Sequence, residues 1–377
     1  MPDEERFMSL VRRAFRASWL TNFGPIHDEF ERALSDFLDC EFVLPVTNGT
    51  FGLLTILRAL GVEGEVITTP YTFPALPHVL FNLDGIRPVF VDVSPHDFNL
   101  DPQSVRDAIT PETSAIVAAH AYGFPCQVEE LQHIADEHGL KLIYDAAPAF
   151  GVTCHGKSIA SFGDASVFSF HATKVFSTAE GGAIACCDKE TYEKCRLFIN
   201  FGIDGEENIE LPGLNGKLDE IRCALGIAGL DVLDETIERR RQVVEHYLEY
   251  FNSADFESIS FCRDLFGSDA YQLNYAYFPI VVTPAGALNR DRLYDALREC
   301  DIVVRKYYYP TVLDLPMYEK LDKRVENVDH AAALSQNTLC LPVNAHFTKA
   351  DCEHLTARIG ECIVELQHGS RWMKSTA

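Results

Sequence analysis

Between residues 26 and 200 the sequence alternates strand-like and helical segments, and this alternation limits the possible folds more than any other feature. The strand-like segments, such as EVITT, PVFVDV, AIVAAH and KLIYD, are short and largely apolar rather than apolar only at every second residue. Helical segments such as PQSVRDAI and QVEELQHIADEH lie between them. Apolar strands joined by helices are typical of a mostly parallel sheet that is covered on both faces. The pattern therefore predicts an α/β domain.

The pattern changes after Asp145, where loops, short strands and a long charged helical region follow. The last part of the chain mixes helices with strand-like segments such as YFPIVV and DIVVRKYYY. A chain of 377 residues is long enough for about two domains. We expect a large α/β domain over residues 1–228 and a small C-terminal α+β domain over residues 229–377.

Charge and composition exclude several classes of partner. Lys and Arg total 32 against 56 Asp and Glu, which gives a formal net charge of −24. A chain this acidic repels nucleic acids and anionic membranes. The sequence has no apolar run of about 18 residues and no signal-peptide pattern. The 12 cysteines form no C-x-x-C pair, so we expect reduced thiols and a cytoplasmic protein.

One short pattern resembles a phosphate-binding loop but lacks its context. Residues 151–158, GVTCHGKS, match G-x-x-x-x-G-K-[ST]. That loop functions between a strand and a helix, whereas the residues that follow here lead into another strand. We predict a turn between two short strands instead. The sequence also lacks G-x-G-x-x-G and H-E-x-x-H patterns, and we expect no metal site.

Two charged residues follow apolar strands at positions where a charge is costly to bury. Asp145 ends the strand KLIYD, at the sheet edge where open α/β folds place their ligands. Lys174 lies in a loop of small residues after the strand SVFSF. The two could form a buried ion pair, or Lys174 could reach solvent. They are also the two groups that pyridoxal 5′-phosphate (PLP) requires: an amine that forms a Schiff base and a carboxylate that keeps the ring nitrogen protonated.

Candidate groups for a phosphate and an aromatic ring occur nearby. Asn48, Gly49 and Thr50 open a helix directly after a strand, so backbone amides and a hydroxyl could face an anion, although an ordinary helix cap has the same pattern. Ser169 offers a second hydroxyl. Phe73 is a candidate ring to lie on a cofactor, although core packing is the ordinary role of a phenylalanine.

Several motifs occur in order along nearly the whole chain: TNGT, EVITTPYTFPA, DAAPAFG, SFHATK with a downstream EGGA, GLNGKLDE and RKYYYP. With these motifs the sequence resembles the DegT/DnrJ/EryC1/StrS family of PLP-dependent sugar aminotransferases, which have the aspartate aminotransferase fold (fold type I). This resemblance implies a large, mostly parallel-sheet domain followed by a small C-terminal α+β domain.

The resemblance also implies roles for individual residues. Lys174 matches the family's Schiff-base lysine, Asp145 the partner of the ring nitrogen and Phe73 the residue that stacks on the ring. Retention of Lys174 argues against the dehydratase branch, in which a histidine replaces it. One position departs from the family: Pro148 stands where Gln or His usually contacts the 3-oxygen of the cofactor, and proline has no side-chain donor.

Further positions concern phosphate and substrate. Gly49, Thr50 and Ser169 fall on phosphate-binding positions. Asn215 matches an asparagine that reaches the phosphate of the neighbouring subunit, which implies a homodimer with shared active sites. Lys217 matches a basic position close to the substrate.

The resemblance is strongest to the branch that aminates C4 of dTDP-4-keto-6-deoxy-D-glucose with L-glutamate as donor, giving dTDP-4-amino-4,6-dideoxy-D-glucose. A 3-keto-sugar nucleotide as acceptor and a PLP-binding regulator without turnover are the alternatives. An anionic nucleotide sugar needs local cations in so acidic a chain, and Lys217 and Arg305 are candidates. Tyr309 is our candidate from the run Tyr307–Tyr309 for the edge of the pocket.

Overall fold

The computed structural model describes residues 1–206, 208–254 and 256–368. Its strands are short, and most are five residues or fewer. In chain order they are β1 (Phe42–Val46), β2 (Gly64–Thr68), β3 (Ile86–Phe90), β4 (Thr113–Ala119), β5 (Lys141–Asp145), β6 (Thr153–Cys154), β7 (Lys157–Ser158), β8 (Ala165–Ser169), β9 (Gly182–Cys186), β10 (Ile203–Asp204), β11 (Asn208–Ile209), β12 (Ile259–Ser260), β13 (Tyr271–Gln272), β14 (Phe278–Val282), β15 (Arg324–Val325) and β16 (Thr338–Leu341).

Eight of these strands form the main sheet, in the order β1-β9-β8-β5-β4-β2-β3-β15. From β15 to β8 each neighbouring pair is parallel. Strand β9 runs against both of its neighbours, β8 and β1, so it is the one reversed strand of this sheet. The predicted mostly parallel sheet is therefore confirmed, and the carboxyl ends of β4, β5 and β8 lie along one edge.

Helices cover both faces of this sheet or build the C-terminal part. They are α1 (Glu4–Ala17), α2 (Pro25–Leu38), α3 (Gly49–Ala59), α4 (Ala75–Phe81), α5 (Pro102–Ala108), α6 (Val128–His138), α7 (Lys189–Phe198), α8 (Glu220–Leu230), α9 (Leu233–Ala254), α10 (Arg263–Phe266), α11 (Arg290–Glu299), α12 (Asp329–Asn337) and α13 (Lys349–Gln367). Within the described residues, no helix combines the length and the apolar character that crossing a membrane requires.

Strand β4 shows why helices must pack on both faces of the sheet. Ala115 and Val117 belong to the cluster that packs against α3, α4 and α7. Ile116 and Ala118 face the opposite side and pack with residues of α1, α2, α5, α6 and α8. Because successive side chains of a strand point to opposite faces, a strand that is apolar throughout must be buried on both.

The segment that resembles a phosphate-binding loop is a turn between two strands, as predicted. Strands β6 and β7 are antiparallel, and β13 extends them to a three-stranded sheet. His155 and Gly156 between them adopt positive φ angles of 50° and 74°. A turn that leads from strand to strand has no helix N-terminus to hold a phosphate.

The C-terminal part has an antiparallel sheet of its own, β12-β14-β16, and a second apolar cluster between this sheet and α9, α11 and α13. Two strands of this part extend sheets of the first part, since β15 pairs with β3 and β13 with β6. The division at residues 228 and 229 stays a prediction. The segment DIVVRKYYY forms no strand and makes only an isolated bridge, between Arg305 and Cys340.

Candidate active site

A cavity of about 670 Å³ opens where the carboxyl ends of β4, β5 and β8 meet the first turn of α3. Open α/β sheets place their ligands at this edge. Of the ten residues to which the sequence analysis gives a catalytic, cofactor-binding or substrate-binding role, six line it: Gly49, Thr50, Phe73, Asp145, Ser169 and Lys174. They come from five separate segments of the chain, so the fold brings together groups that are distant in sequence.

Asp145 is half-buried at the end of β5, and one carboxylate oxygen is held by the backbone. The N–H of Ala147 donates to Oδ1 at 3.1 Å. No described residue makes a hydrogen bond to Oδ2. Burial raises the pKa of Asp145, and the Ala147 N–H and the positive charge of Lys174 oppose that rise. The carboxylate is thus fixed in position with one oxygen left for a ligand.

Lys174 is half-buried in the loop after β8, and its backbone N–H donates to the carbonyl of His171 at 2.9 Å. Burial lowers the pKa of Lys174, while the carboxylate of Asp145 raises it. No carboxylate of the described residues lies within 4.0 Å of its Nζ, so the buried ion pair considered for Lys174 and Asp145 does not form. The amine is therefore not neutralised by a direct partner, and a lowered pKa increases its free-base fraction.

The first turn of α3 abuts the end of β8. Asn48 caps the helix, with Oδ1 accepting the N–H of Phe51 at 2.8 Å. A Cβ built on Gly49 would lie 3.2 Å from Cβ of Ser169 and 3.3 Å from the carbonyl oxygen of Phe168. The first N–H groups of a helix have no partner within it. Together with the hydroxyls of Thr50 and Ser169, they make a cradle that suits a phosphate.

Phe73 precedes α4, and its side chain is exposed rather than packed in the core. Sixty per cent of the residue is accessible, although it lines the cavity. The core-packing interpretation is therefore wrong for this phenylalanine. An exposed aromatic ring at a cavity wall is suited to stacking on a flat ligand.

The other four do not line this cavity: Asn215, Lys217, Arg305 and Tyr309. Asn215 forms a backbone bridge with Asn200, and Nζ of Lys217 lies 4.9 Å from the ring centre of Phe201. Arg305 is exposed. Within one chain, these residues therefore do not lie with the six that line the cavity.

Tyr309 also lies outside the cavity, with the guanidinium carbon of Arg290 4.2 Å from its ring centre. Its neighbours Tyr307 and Tyr308 line the cavity instead. The hydroxyl of Tyr122 donates to the carbonyl of Tyr307, and Oγ of Ser335 donates to that of Tyr308 at 2.7 Å. These bonds fix the backbone of the two residues that line the cavity wall.

Sequence reasoning missed His120, which also lines the cavity. It follows β4 directly, and its backbone N–H donates to the carbonyl oxygen of Asp145 at 3.0 Å. Its Nδ1 accepts the N–H of Cys126 at 3.0 Å, and its ring stacks on Tyr144 with 4.6 Å between centres. Asp145 was singled out because it ends an apolar strand at a ligand-binding edge, and the same criterion applies to His120.

A second missed group lies at the mouth of the cavity beside Lys174. Nδ1 of His171 is 2.8 Å from Oγ1 of Thr173, and its Nε2 is 3.7 Å from Oε1 of Glu180. All three side chains line the cavity. No group of three or more potential metal ligands (His, Cys, Asp, Glu) occurs in residues 1–206, 208–254 and 256–368.

Comparison with known proteins identifies close relatives. The family described as the DegT/DnrJ/EryC1/StrS aminotransferase family matches residues 2–360. The dTDP-4-amino-4,6-dideoxy-D-glucose transaminase of Shigella dysenteriae is 40% identical over 361 residues, 96% of each chain. The Escherichia coli protein of that name is 38% identical over 91% of each chain. The crystal structure of DesI in the presence of its TDP-sugar product superimposes with a TM-score of 0.90 at 33% identity, covering 98% of this chain and 92% of that one.

Proposed function

The chain belongs to the DegT/DnrJ/EryC1/StrS aminotransferase family, and from that premise we propose that it moves an amino group from L-glutamate to dTDP-4-keto-6-deoxy-D-glucose, with PLP as cofactor. The product would be dTDP-4-amino-4,6-dideoxy-D-glucose. The names of the two similar transaminases support this choice of substrate. The main structural support for the proposal is that Asp145, Lys174 and the start of α3 line one cavity.

The residues of the cavity fit PLP. Oδ2 of Asp145 is available to the ring nitrogen, Phe73 to the ring face, and the start of α3 with Ser169 to the phosphate. When bound, PLP withdraws electrons from the carbon that loses a proton. The protein has to position that carbon, keep the ring nitrogen protonated and move the proton.

Lys174 would move that proton. Its Nζ takes the proton from the α-carbon of glutamate, and in the second half of the reaction it delivers a proton to the sugar carbon that receives the amino group. A group that acts first as base and then as acid works best with a pKa near the working pH. Burial lowers the pKa of Lys174 in that direction.

Asp145 would hold the proton on the ring nitrogen. Its carboxylate must stay ionised despite burial, and the Ala147 N–H stabilises that state. Because Oδ1 is held by this bond, Oδ2 keeps a constant direction toward the ligand. A carboxylate fixed in advance spends little energy on reorganisation during the reaction.

We also propose that the protein is a homodimer in which Asn215 contributes to the phosphate site of the other copy. Two observations support this. Asn215 lies outside the cavity of its own chain, and large apolar side chains in the segment that precedes it are exposed, with accessible fractions of 48% for Phe201, 48% for Leu214 and 69% for Ile209. Exposed apolar patches of this kind mark interaction surfaces. Lys217 and Arg305 as substrate-binding cations, and a cytoplasmic location, stay predictions.

An absorbance experiment tests the reaction in two steps. The purified protein is mixed with PLP and then with L-glutamate, and we expect an absorbance band at about 410 nm that moves to about 330 nm. Lys174→Ala is the matched control, because it lacks the amine that attaches PLP to the protein.

The keto sugar is then added, and the product is identified by NMR. Return of the first band together with an amine at C4 supports the proposal. An amine at C3 would favour the 3-keto-sugar alternative, and a band that does not respond to glutamate would favour a non-catalytic regulator. Absence of any band would refute the use of PLP.

A further inference from the structure

Three tyrosines from the C-terminal part of the chain, Tyr277, Tyr307 and Tyr308, line the cavity. The ring centres of Tyr277 and Tyr307 are 5.5 Å apart, and those of Tyr307 and Tyr308 are 5.9 Å apart, so the three form one surface, the tyrosine wall. The cavity residues assigned above to PLP all come from the first part of the chain. The tyrosine wall is therefore left for the substrates.

The tyrosine wall suits a sugar better than it suits L-glutamate. A tyrosine combines an apolar ring with one hydroxyl, and a sugar ring likewise combines C–H groups with hydroxyls. Glutamate carries two carboxylates, whose charge a neutral tyrosine does not balance. Burial raises the pKa of Tyr277 and of Tyr308, which keeps both neutral. The sugar of the acceptor is the ligand that fits this wall, an assignment that rests on the proposed function.

Tyr308 packs against two tyrosines that do not line the cavity, Tyr71 and Tyr122. Its ring stacks on that of Tyr122, with 5.4 Å between the centres and 25° between the planes. It also meets the ring of Tyr71 edge-on, at 5.4 Å. Both supporting residues are buried in the core and come from the first part of the chain. Tyr308 thus takes its place from residues behind the tyrosine wall.

The hydroxyls of Tyr71 and Tyr122 form a chain of hydrogen bonds that ends on the backbone of the wall. The two oxygen atoms are 2.6 Å apart. The hydroxyl of Tyr122 donates to the carbonyl of Tyr307, and because a carbonyl can only accept, Tyr71 is the donor to Tyr122. At the other end of the chain, Oγ1 of Thr338 lies 3.1 Å from Oη of Tyr71. Three buried hydroxyls therefore determine where this carbonyl lies.

The carbonyl of Tyr307 depends mainly on Tyr122. Among the described residues, the one other side-chain donor to it is the hydroxyl of Tyr71, at 3.5 Å. That distance is too long for a strong hydrogen bond. A buried carbonyl that loses its donor is costly, so the segment should shift when the Tyr122 hydroxyl is removed.

We propose that Tyr122 is a positioning residue for the acceptor sugar, because its hydroxyl, oriented by that of Tyr71, holds Tyr307 and the adjoining Tyr308 where the sugar binds. Tyr122 acts only through these two residues, since it does not line the cavity. Loss of its hydroxyl should weaken binding of the keto sugar. The reaction with L-glutamate should keep its rate, because it depends on Asp145 and Lys174.

Two substitutions separate this role from a purely structural one. Tyr122→Phe keeps the ring that stacks on Tyr308 and loses the donor to Tyr307. Tyr247→Phe is the matched control, because the Tyr247 hydroxyl also donates to a backbone carbonyl, that of Pro342, at 2.9 Å. Tyr122 and Tyr247 are buried to the same degree, with 2% and 1% accessible. Both variants lose a buried bond of the same kind, and only Tyr122 is bonded to the tyrosine wall.

The first readout is the keto-sugar concentration that gives half the maximal rate with glutamate-treated protein. We expect Tyr122→Phe to raise this concentration about tenfold, the factor that corresponds to one hydrogen bond of average strength. Tyr247→Phe should leave it unchanged, and both variants should react with L-glutamate at the rate of the unaltered protein. An unchanged concentration in Tyr122→Phe, an equal rise in Tyr247→Phe, or an equal loss in the glutamate reaction would overturn the proposal.

The second readout needs neither substrate nor cofactor. Deuterium uptake by the peptide that contains Tyr307 and Tyr308 should increase in Tyr122→Phe and stay unchanged in Tyr247→Phe. Unaltered uptake in Tyr122→Phe would overturn the proposal, and thermal unfolding checks that both variants are folded. Failure of the proposed function looks different, because the unaltered protein itself would then show no response to the keto sugar.

Discussion

Replacement of Asp145 by asparagine separates the charge of this residue from its shape. The amide oxygen of Asp145→Asn can still accept the N–H of Ala147, which donates to Oδ1 at 3.1 Å. The other carboxylate oxygen becomes an uncharged NH₂ group that cannot hold a proton on the ring nitrogen. We therefore expect the variant to bind PLP but to lose most of the rate of the glutamate half-reaction.

The size of the loss follows from the charge interaction. Two unit charges about 4 Å apart near a protein surface interact by about 4 kcal/mol at an effective dielectric constant of about 20. Because each 1.36 kcal/mol or so changes a rate tenfold, the half-reaction should slow about 10³-fold. Stopped-flow absorbance after mixing with glutamate measures this rate directly.

Asp164→Asn is a matched control. This carboxylate accepts a bond from Lys141 at 2.9 Å and from the N–H of Leu142 at 2.8 Å, and it does not line the cavity. We expect its half-reaction to keep the rate of the unaltered protein. If Asp145→Asn also retained a rate within about threefold, the assignment of Asp145 to the ring nitrogen would be refuted.

The same substitution slows the reaction, but in the absence of PLP it should increase the stability of the folded protein. Burial raises the folded-state pKa of Asp145 above its ordinary value, so the folded state holds this proton more tightly than the unfolded chain does. The contribution of Asp145 to stability is then present at low pH and is lost as pH rises through the raised pKa. Asp145→Asn should gain stability relative to the unaltered protein as the pH rises from about 4, near the ordinary pKa of an aspartate, through the raised pKa of the folded state, as urea unfolding would measure. A difference in stability that is independent of pH would contradict this account.

Three further predictions concern other residues. Lys174→Ala should show no turnover, and measurable turnover in a coupled glutamate assay would contradict its role. Gly49→Val should weaken PLP binding by tenfold or more in equilibrium dialysis, because a Cβ there already lies 3.2 Å from Cβ of Ser169 and the branched side chain would enter the cradle. Unaltered PLP affinity would show that the phosphate lies elsewhere. Glu220→Ala should reduce the free energy of unfolding by about 3 kcal/mol, because two buried N–H groups at the start of α2 donate to this carboxylate at 2.8 Å each. A loss below about 1 kcal/mol in urea titration would contradict that estimate.

The sequence determined most of the central fold. Strands that are apolar throughout, joined by helical segments, predicted the parallel sheet that the structure contains. Asp145, Gly49 and Ser169 were recognisable because each lies at the end of a strand or the start of a helix. Strand ends and helix starts can be recognised from local sequence patterns. Because parallel strands bring their carboxyl ends to one edge of the sheet, residues at those ends can be predicted to lie near a ligand site.

Tertiary structure decided what local patterns do not encode. Tyr309 was preferred from the run of three tyrosines, but Tyr307 and Tyr308 line the cavity, because hydrogen bonds from Tyr122 and Ser335 hold their backbone there. The segment around them was predicted to be a strand, but it forms only a single isolated bridge.

Asn215 and Tyr122 show two further limits of local patterns. Asn215 lies outside the cavity of its own chain, and whether it serves another copy depends on an interface that no pattern within one chain describes. The part that Tyr122 plays became visible only when its hydroxyl could be placed between that of Tyr71 and the carbonyl of Tyr307. A hydrogen bond needs two atoms at a defined distance, and residues far apart in sequence acquire that distance only when the chain has folded.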